Sequence, residues 1–426
     1  MLRYQRLLLP LDWPQFPERD IHRPWPGPTP APRAPFVAAY LVKLNEHLHS
    51  MADLRRFLIE HPALAWLIGF PLNTESLPIL SSPRQFGRVL RTLDNECLQF
   101  LLSATIRLFA DNQAPDTSCG DAISLDTKHI IAWAKENNPK EHMRDRFVKE
   151  RHPKGDPDCR LGCKERRNRP PTPTTNPVPA AHLSVGQFFW GYASGVVATR
   201  LPDGSDIVLA ELTQPFDQND ITYFFPLMRQ VEQRLSHPPR FGALDAAFDA
   251  FYIYDYFHQA GGLAAVPLTG RGRHKQRSFT ATGAPFCPAS LPMKLKYTFL
   301  NRKSFFPHPY QRYCCPLPDA AACPIHHAQA AKGGCTATLA ASPGSRLRYQ
   351  IDRQSDTFKD IYKQRTATER IFSQAVNLDI ERPHLRNRRS ITNLNTLIYV
   401  LINLRTWQRM QDVDATTLEV TPMSCC

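Results

Sequence analysis

Three acidic positions in this chain stand where a carboxylate can do more than solvate a surface. Asp126 closes the short apolar run Ser124-Leu125-Asp126-Thr127-Lys128, and Asp245 closes another, Gly242-Ala243-Leu244-Asp245. A sheet holds a strand-end carboxylate rigidly, and when two strands lie side by side, acids far apart in sequence converge on one ion. Glu369 ends the segment Tyr362-Lys363-Gln364-Arg365-Thr366-Ala367-Thr368-Glu369, whose apolar neighbours Phe358, Ile361 and Phe372 have helical spacing. At about 100° per residue, Tyr362, Arg365 and Glu369 share a stripe about 60° wide. A carboxylate beside a guanidinium and a phenol suits phosphate, the acid binding metal while Arg and Tyr hold a phosphate oxygen. The set points to phosphodiester chemistry with hard divalent cations, which require oxygen ligands. Taken singly, each acid reads as a surface group or a helix cap. Asp249 is the main rival of Asp245 as ligand, but it sits three to four residues into the helix region, where a first-turn acid has the structural role of meeting the helix dipole, so Asp245 is preferred.

The elements that must position these groups follow from periodicity. Residues 1–35 are proline-rich and read as an extended tail. Over 36–112 the apolar spacing is helical, with Phe86, Val89, Leu90 and Leu93 on one face and Ser82-Pro83 as a helix start. Three strand-like runs follow, Ala122–Leu125, Phe188–Thr199 and Ile207–Leu212, with Pro202-Asp203-Gly204 as the turn between the last two. Gln218–Leu235 reads as helix, Phe241–Leu244 as strand, Ala247–Gln259 as helix and Leu263–Pro267 as strand. The order is βββ-α-β-α-β, an α/β class, over 113–268. An insertion rich in Pro, Cys and basic residues spans 269–346. Helical segments at Thr357–Leu378 and Ile391–Met410 lie in a closing region, 347–412, before a tail at 413–426.

The Tyr-x2-Arg-x3-Glu pattern at Tyr362, Arg365 and Glu369, Leu-Asp-Thr at 125–127 and Leu-Asp-Ala-Ala-Phe-Asp at 244–249 resemble the DDE transposases of bacterial insertion sequences. The likeness covers about residues 118–410. It implies a ribonuclease-H-like mixed sheet flanked by helices, with an insertion before the catalytic Glu and an all-helical, DNA-binding N-terminal domain. It further implies Asp126, Asp245 and Glu369 as ligands of two Mg²⁺ ions, with Mn²⁺ as substitute, and Tyr362 and Arg365 contacting DNA near the element end. The implied partners are double-stranded DNA, as terminal repeats and target, and a second copy of the chain on that DNA. Where the family's pattern continues with a lysine, this chain has Val376, and Arg386, Arg388 and Arg389 are the nearby candidates to replace it. A different reading is a transposase-derived protein that binds DNA without cutting it.

The charge agrees with a polyanionic partner: 52 Lys and Arg against 39 Asp and Glu give a formal charge of +13. Four basic clusters, at Arg144–Arg151, Lys164–Arg169, Arg271–Arg277 and Arg382–Arg389, suit phosphate-backbone binding whatever the base sequence. Lys128, Arg271, Arg273, Lys275, Arg386, Arg388 and Arg389 are the candidate phosphate contacts beside the acids. With 42% hydrophobic residues the chain has material for packed cores, and no apolar run is long enough to cross a bilayer. Leu7-Leu8-Leu9 is stopped by Pro10, too short for a signal-peptide core, so the expectation is a reducing bacterial cytoplasm, on the nucleoid. The 11 cysteines then read mostly as free thiols. A structural zinc site from Cys314, Cys315, Cys323, His326, His327 and Cys335 is the lesser alternative. The absence of Gly-x4-Gly-Lys-Ser/Thr argues against ATP-driven function.

Overall fold

A computed structural model describes the chain except residues 21–29, 113–118, 142–144, 165–186, 270–276, 303–305, 318–321, 327, 330–331 and 420–426, and the side chains of 413–419. The chain forms two compact units. One comprises Met1–Gly120, Asp126–Ser236 and Ala367–Cys426, the other Asp121–Leu125 and His237–Thr366.

The first unit opens with helices α1 (Leu2–Leu8), α2 (Ala34–Asn45), α3 (Met51–Glu60), α4 (Pro62–Leu67), α5 (Pro83–Thr92) and α6 (Asn95–Ala110). Local chemistry sets their starts. Ser50 and Asp53 form a reciprocal capping box on α3, each side chain accepting from the other's backbone N–H. Ser82 Oγ accepts from Gln85 N at 3.3 Å, and Pro83 begins α5 without losing a hydrogen bond. The expectation of an unpacked leader fails at its start: α1 is helical, and Tyr4, Leu7, Leu8, Leu11 and Phe16 are buried. Tyr4, Leu7 and Leu8 have the i, i+3, i+4 spacing of a helix face, which burial rewards despite the prolines downstream.

Strand β1 (Ala122–Ile131) is followed by β2 (Arg160–Lys164), β3 (Gln187–Arg200), β4 (Asp206–Pro215) and α7 (Phe224–Leu235). Strands β3 and β4 are antiparallel, joined at the expected Pro202-Asp203-Gly204 turn, where Gly204 has φ +85°. The second unit adds β5 (Phe241–Leu244), α8 (Phe251–Gln259) and β6 (Leu263–Ala265). Together these strands make a six-stranded mixed sheet ordered β2-β3-β1-β5-β6, with β4 also on β3. β1 is parallel to β5, and β5 to β6. Gly242 lets the Phe257 ring of α8 lie directly on β5, where a Cβ would collide with it.

Within the insertion, β7 (Lys294–Asn301), β8 (His308–Cys314) and β9 (Thr336–Ala340) form an antiparallel sheet, followed by α9 (Pro343–Gln350). Its core gathers Cys287, Met293, Tyr313, Leu339 and Tyr349. The helix expected over Thr357–Leu378 is divided into α10 (Asp356–Tyr362), a 3₁₀ turn at Lys363–Arg365 and α11 (Thr366–Val376). A uniform 100° step therefore does not run from Tyr362 to Glu369.

The last helix, α12 (Arg388–Glu419), sits in the centre of the first unit's core, sharing it with α2, α5 and α6 and with Trp190, Val196 and Val208 of the sheet. The N-terminal helices are thus packed into one core with the sheet rather than set apart. Buried polar groups fix the register of α12. Asn403 bonds the Val208 backbone in both directions, at 2.8 and 2.9 Å, and Asn393 donates to the Leu90 and Leu93 carbonyls.

Candidate active site and nucleic-acid interface

Register places the first two acids. Leu125 of β1 pairs with Leu244 of β5 on parallel strands, and the next residue along each is an acid, Asp126 and Asp245. Each carboxylate is oriented by nearby backbone. Asp126 Oδ1 accepts from Thr127 N at 2.8 Å, and Asp245 Oδ1 accepts from Ala247 N at 2.8 Å, capping the 3₁₀ turn Ala246–Phe248. Both acids are half-buried, beside the fully buried Leu125 and Leu244.

The rival acid is spoken for. Asp249 is bound on both oxygens by Arg348, at 2.7 and 2.6 Å, and also accepts from Thr269 N and the Tyr254 hydroxyl. Burial works to raise the Asp249 pKa, yet the Arg348 hydrogen bond and charge and the Thr269 N–H carry it below its ordinary value. A carboxylate closed on every side by the protein holds α8 to α9 and is not placed to bind a ligand.

Glu369 lies exposed in the first turn of α11, between the buried Thr368 and the half-buried Arg370. Arg370 forms a forked ion pair with Asp206 at the start of β4, which fixes the rotation of α11. Tyr362 is half-buried with its ring stacked on Phe358, centroids 5.7 Å apart, and Arg365 is half-buried in the 3₁₀ turn. Val376 is exposed near the end of α11.

Sequence reading missed a fourth acid. The Thr127 hydroxyl donates to Asp220 Oδ1 at 2.8 Å, and burial raises the pKa of Asp220. Nothing in the run Gln218-Asn219-Asp220 marks it, because its proximity to β1 arises only when the segment before α7 folds back.

The candidate phosphate contacts differ in what is left of their charge. Lys128 is paired with Glu381 at 2.5 Å. Arg388 uses its backbone N–H on Asp158 and its guanidinium on the Thr213 carbonyl, and Arg389 pairs with Asp94 at 2.6 Å. Arg386 is exposed and lies over the Trp133 ring, 4.9 Å from its centroid. Arg271, Arg273 and Lys275 lie outside the described residues.

A hard cation takes carboxylate oxygens, and Asp126, within β1, and Asp245, just after β5, each supply one carboxylate, so the donor chemistry of each fits Mg²⁺ or Mn²⁺. Among the described residues no three His, Cys, Asp or Glu side chains form a group able to hold a metal. That holds for the described cysteines of the insertion as well; His327 lies outside the described residues. The Cys335 thiol is pushed up to about 11 by burial and by its Cys287 and Cys315 neighbours. Among the described residues, no helix is long and apolar enough to cross a membrane.

The chain matches no protein-family model and no curated protein sequence, so its own residues carry the functional argument.

Proposed function

We propose that this chain is a metal-dependent polynucleotidyl transferase of the insertion-sequence transposase kind, which cuts DNA at element ends and joins the freed end to a target. The observation that carries the reading is the registered pair Leu125 and Leu244 on neighbouring parallel strands, each followed by an acid. The strand order, with β4 on β3, β3 beside β1, and β5 and β6 parallel beyond it, supports a ribonuclease-H-like core. The closure of Asp249 by Arg348 supports Asp245 as the working acid of its segment.

Asp126, Asp245 and Glu369, which form no three-carboxylate group in this structure, would have to be drawn together to hold the divalent ions, which when bound activate the attacking oxygen and stabilise the leaving oxygen of an in-line displacement. The chain's own part is positioning. Thr127 N and Ala247 N orient the Asp126 and Asp245 carboxylates, and the Arg370–Asp206 pair fixes the helix that presents Glu369. Tyr362 and Arg365 would hold phosphate oxygens near the element end. Duplex DNA is the proposed substrate, bound by a dimer, because two ends must be joined.

The test is Mn²⁺-dependent nicking of DNA carrying the ends that flank this gene. Asp126→Asn, Asp245→Asn and Glu369→Gln should each reduce nicking to background while circular dichroism shows an unchanged fold. Nicking by these variants at the native rate would sink the assignment. A second reading, DNA binding without cleavage, rests on the exposed Val376 at the position where the family's pattern has a lysine. Gel-shift binding with no cleavage by the native chain in Mg²⁺ or Mn²⁺ would select it.

A further inference from the structure

Two adjoining grooves of the first unit share Trp133, His384 and Arg386 as lining residues. The larger, about 650 Å³, adds Lys135, Arg146 and Arg382 together with Phe147 and Phe188. The smaller, about 420 Å³, adds Arg84, Arg88 and Arg91. Those three arginines stand at i, i+4 and i+7 on α5, opposite its buried Phe86, Val89 and Leu90, so they form one exposed stripe. Among the described lining residues of both grooves there is no carboxylate. Such a surface repels itself unless a polyanion lies on it.

Its aromatic rings narrow the choice of polyanion. Trp133, Phe147 and Phe188 are 51%, 42% and 41% exposed, too open to be core residues. Arginine accompanies them. Arg386 lies 4.9 Å from the Trp133 centroid and Arg146 5.9 Å from that of Phe147. The His384 ring lies 5.3 Å from Trp133, and Phe147 and Phe188 are 6.5 Å apart. The scaffold beneath is rigid. Asn137 donates to the Ala132 and Trp190 carbonyls and accepts from Trp190 N, pinning the turn that follows Trp133. Trp190 Nε1 donates to the Arg146 carbonyl, and Ile131 N to that of Glu381, which secures the segment bearing Arg382, His384 and Arg386.

We propose that this surface binds single-stranded nucleic acid, with unpaired bases stacked on the Trp133 and Phe147–Phe188 rings and their arginines, and phosphates held along the α5 stripe. A duplex offers phosphates but keeps its base faces stacked inside, so it has use for the arginines and none for the rings. A strand with unpaired bases uses both. The site deepens the nucleic-acid reading above, resting on the polyanion being a nucleic acid and not on cleavage.

Anisotropy of the full chain with labelled oligo-dT, an abasic strand of equal length and a duplex of equal length tests it. The native chain should bind oligo-dT more tightly than the abasic strand. Trp133→Ala should weaken oligo-dT by at least about fivefold, with Trp133→Phe restoring most of it and duplex affinity changing less than about twofold. Replacing Arg84, Arg88 and Arg91 with Ala should weaken all three ligands and flatten the salt dependence of binding. Equal affinity for abasic and base-bearing strands, equal losses for strand and duplex in Trp133→Ala, or polyglutamate binding as tightly as oligo-dT would each overturn the proposal. Strand binding of this kind without any nicking would leave it standing and remove the catalytic reading. Nicking with no base-dependent strand binding would do the reverse.

Discussion

Asp245 and Asp249 are four residues apart on the same strand-to-helix passage and have opposite fates. Asp249 has a side chain with no exposure, and a guanidinium, a backbone N–H and a phenol all point at it. Asp245 stays half-buried at a strand end, with one oxygen on the backbone N–H of Ala247. The difference teaches that acidity and proximity do not select a site. What separates these two is burial: the fold closes both oxygens of Asp249, whereas Asp245 keeps partial exposure at the end of β5.

The largest expected effect breaks the closed member of the pair. Asp249→Ala leaves the Arg348 guanidinium, 3% exposed, without its partner, and removal of one member of a buried pair costs about 3–5 kcal/mol. Denaturant unfolding should register that loss, whereas Asp245→Ala should cost about 1 kcal/mol, the size of a lost cap. Equal losses at the two positions would erase the distinction drawn between them.

This contrast also marks how far the sequence could be read. The paired segments of β1 and β5 were legible because Ile123-Ser124-Leu125 and Gly242-Ala243-Leu244 are short apolar runs, and Pro202-Asp203-Gly204 marks its own turn, but the expected end of the first strand at Leu125 was wrong: β1 runs on through Asp126 to Ile131. The Arg348–Asp249 pair was not, because nothing local joins residues 99 positions apart. β2 was missed since Arg160–Lys164 is half-buried throughout and shows no alternation. In the insertion, Lys294–Asn301 does alternate, but proline- and cysteine-rich surroundings masked it. Trp133 drew no attention as a lone aromatic after β1, and its meaning comes from arginines that only the fold assembles around it.

A third acid sharpens the comparison through pH. Glu211 on β4 is fully buried and accepts from Gln99 at 2.7 Å and Thr396 at 2.5 Å. Burial pushes its pKa up to about 7 against these hydrogen bonds and the nearby Arg234 charge. Between its unfolded value near 4.5 and about 7, the unfolded chain has released a proton that the folded chain retains. Stability contributed by this residue therefore falls as pH rises through that window, by up to about 1.4 kcal/mol per unit. Glu211→Gln keeps the shape and removes the titration. Unfolding midpoints from pH 5 to 7 should decline less in the variant than in the native chain, and parallel curves would mean Glu211 is already ionised when folded.

The smallest effect belongs to a half-buried pair beside the proposed site. Lys128 and Glu381 meet at 2.5 Å, with side chains 21% and 41% exposed, and the Lys128 hydrogen bond holds the Glu381 pKa below its ordinary value. A depressed carboxylate stabilises above its unfolded pKa and loses that contribution as pH falls through the folded one, so the Glu381 side of the pair weakens in acid. Solvent screening keeps Lys128→Ala within about 1 kcal/mol at neutral pH. The same pairing neutralises Lys128 as a phosphate contact. Its alanine variant should change duplex affinity less than Arg84→Ala on the carboxylate-free α5 stripe. If Lys128→Ala instead weakens DNA binding more than Arg84→Ala, the lysine must leave Glu381 for phosphate, and the line between closed and available charges must be redrawn at β1.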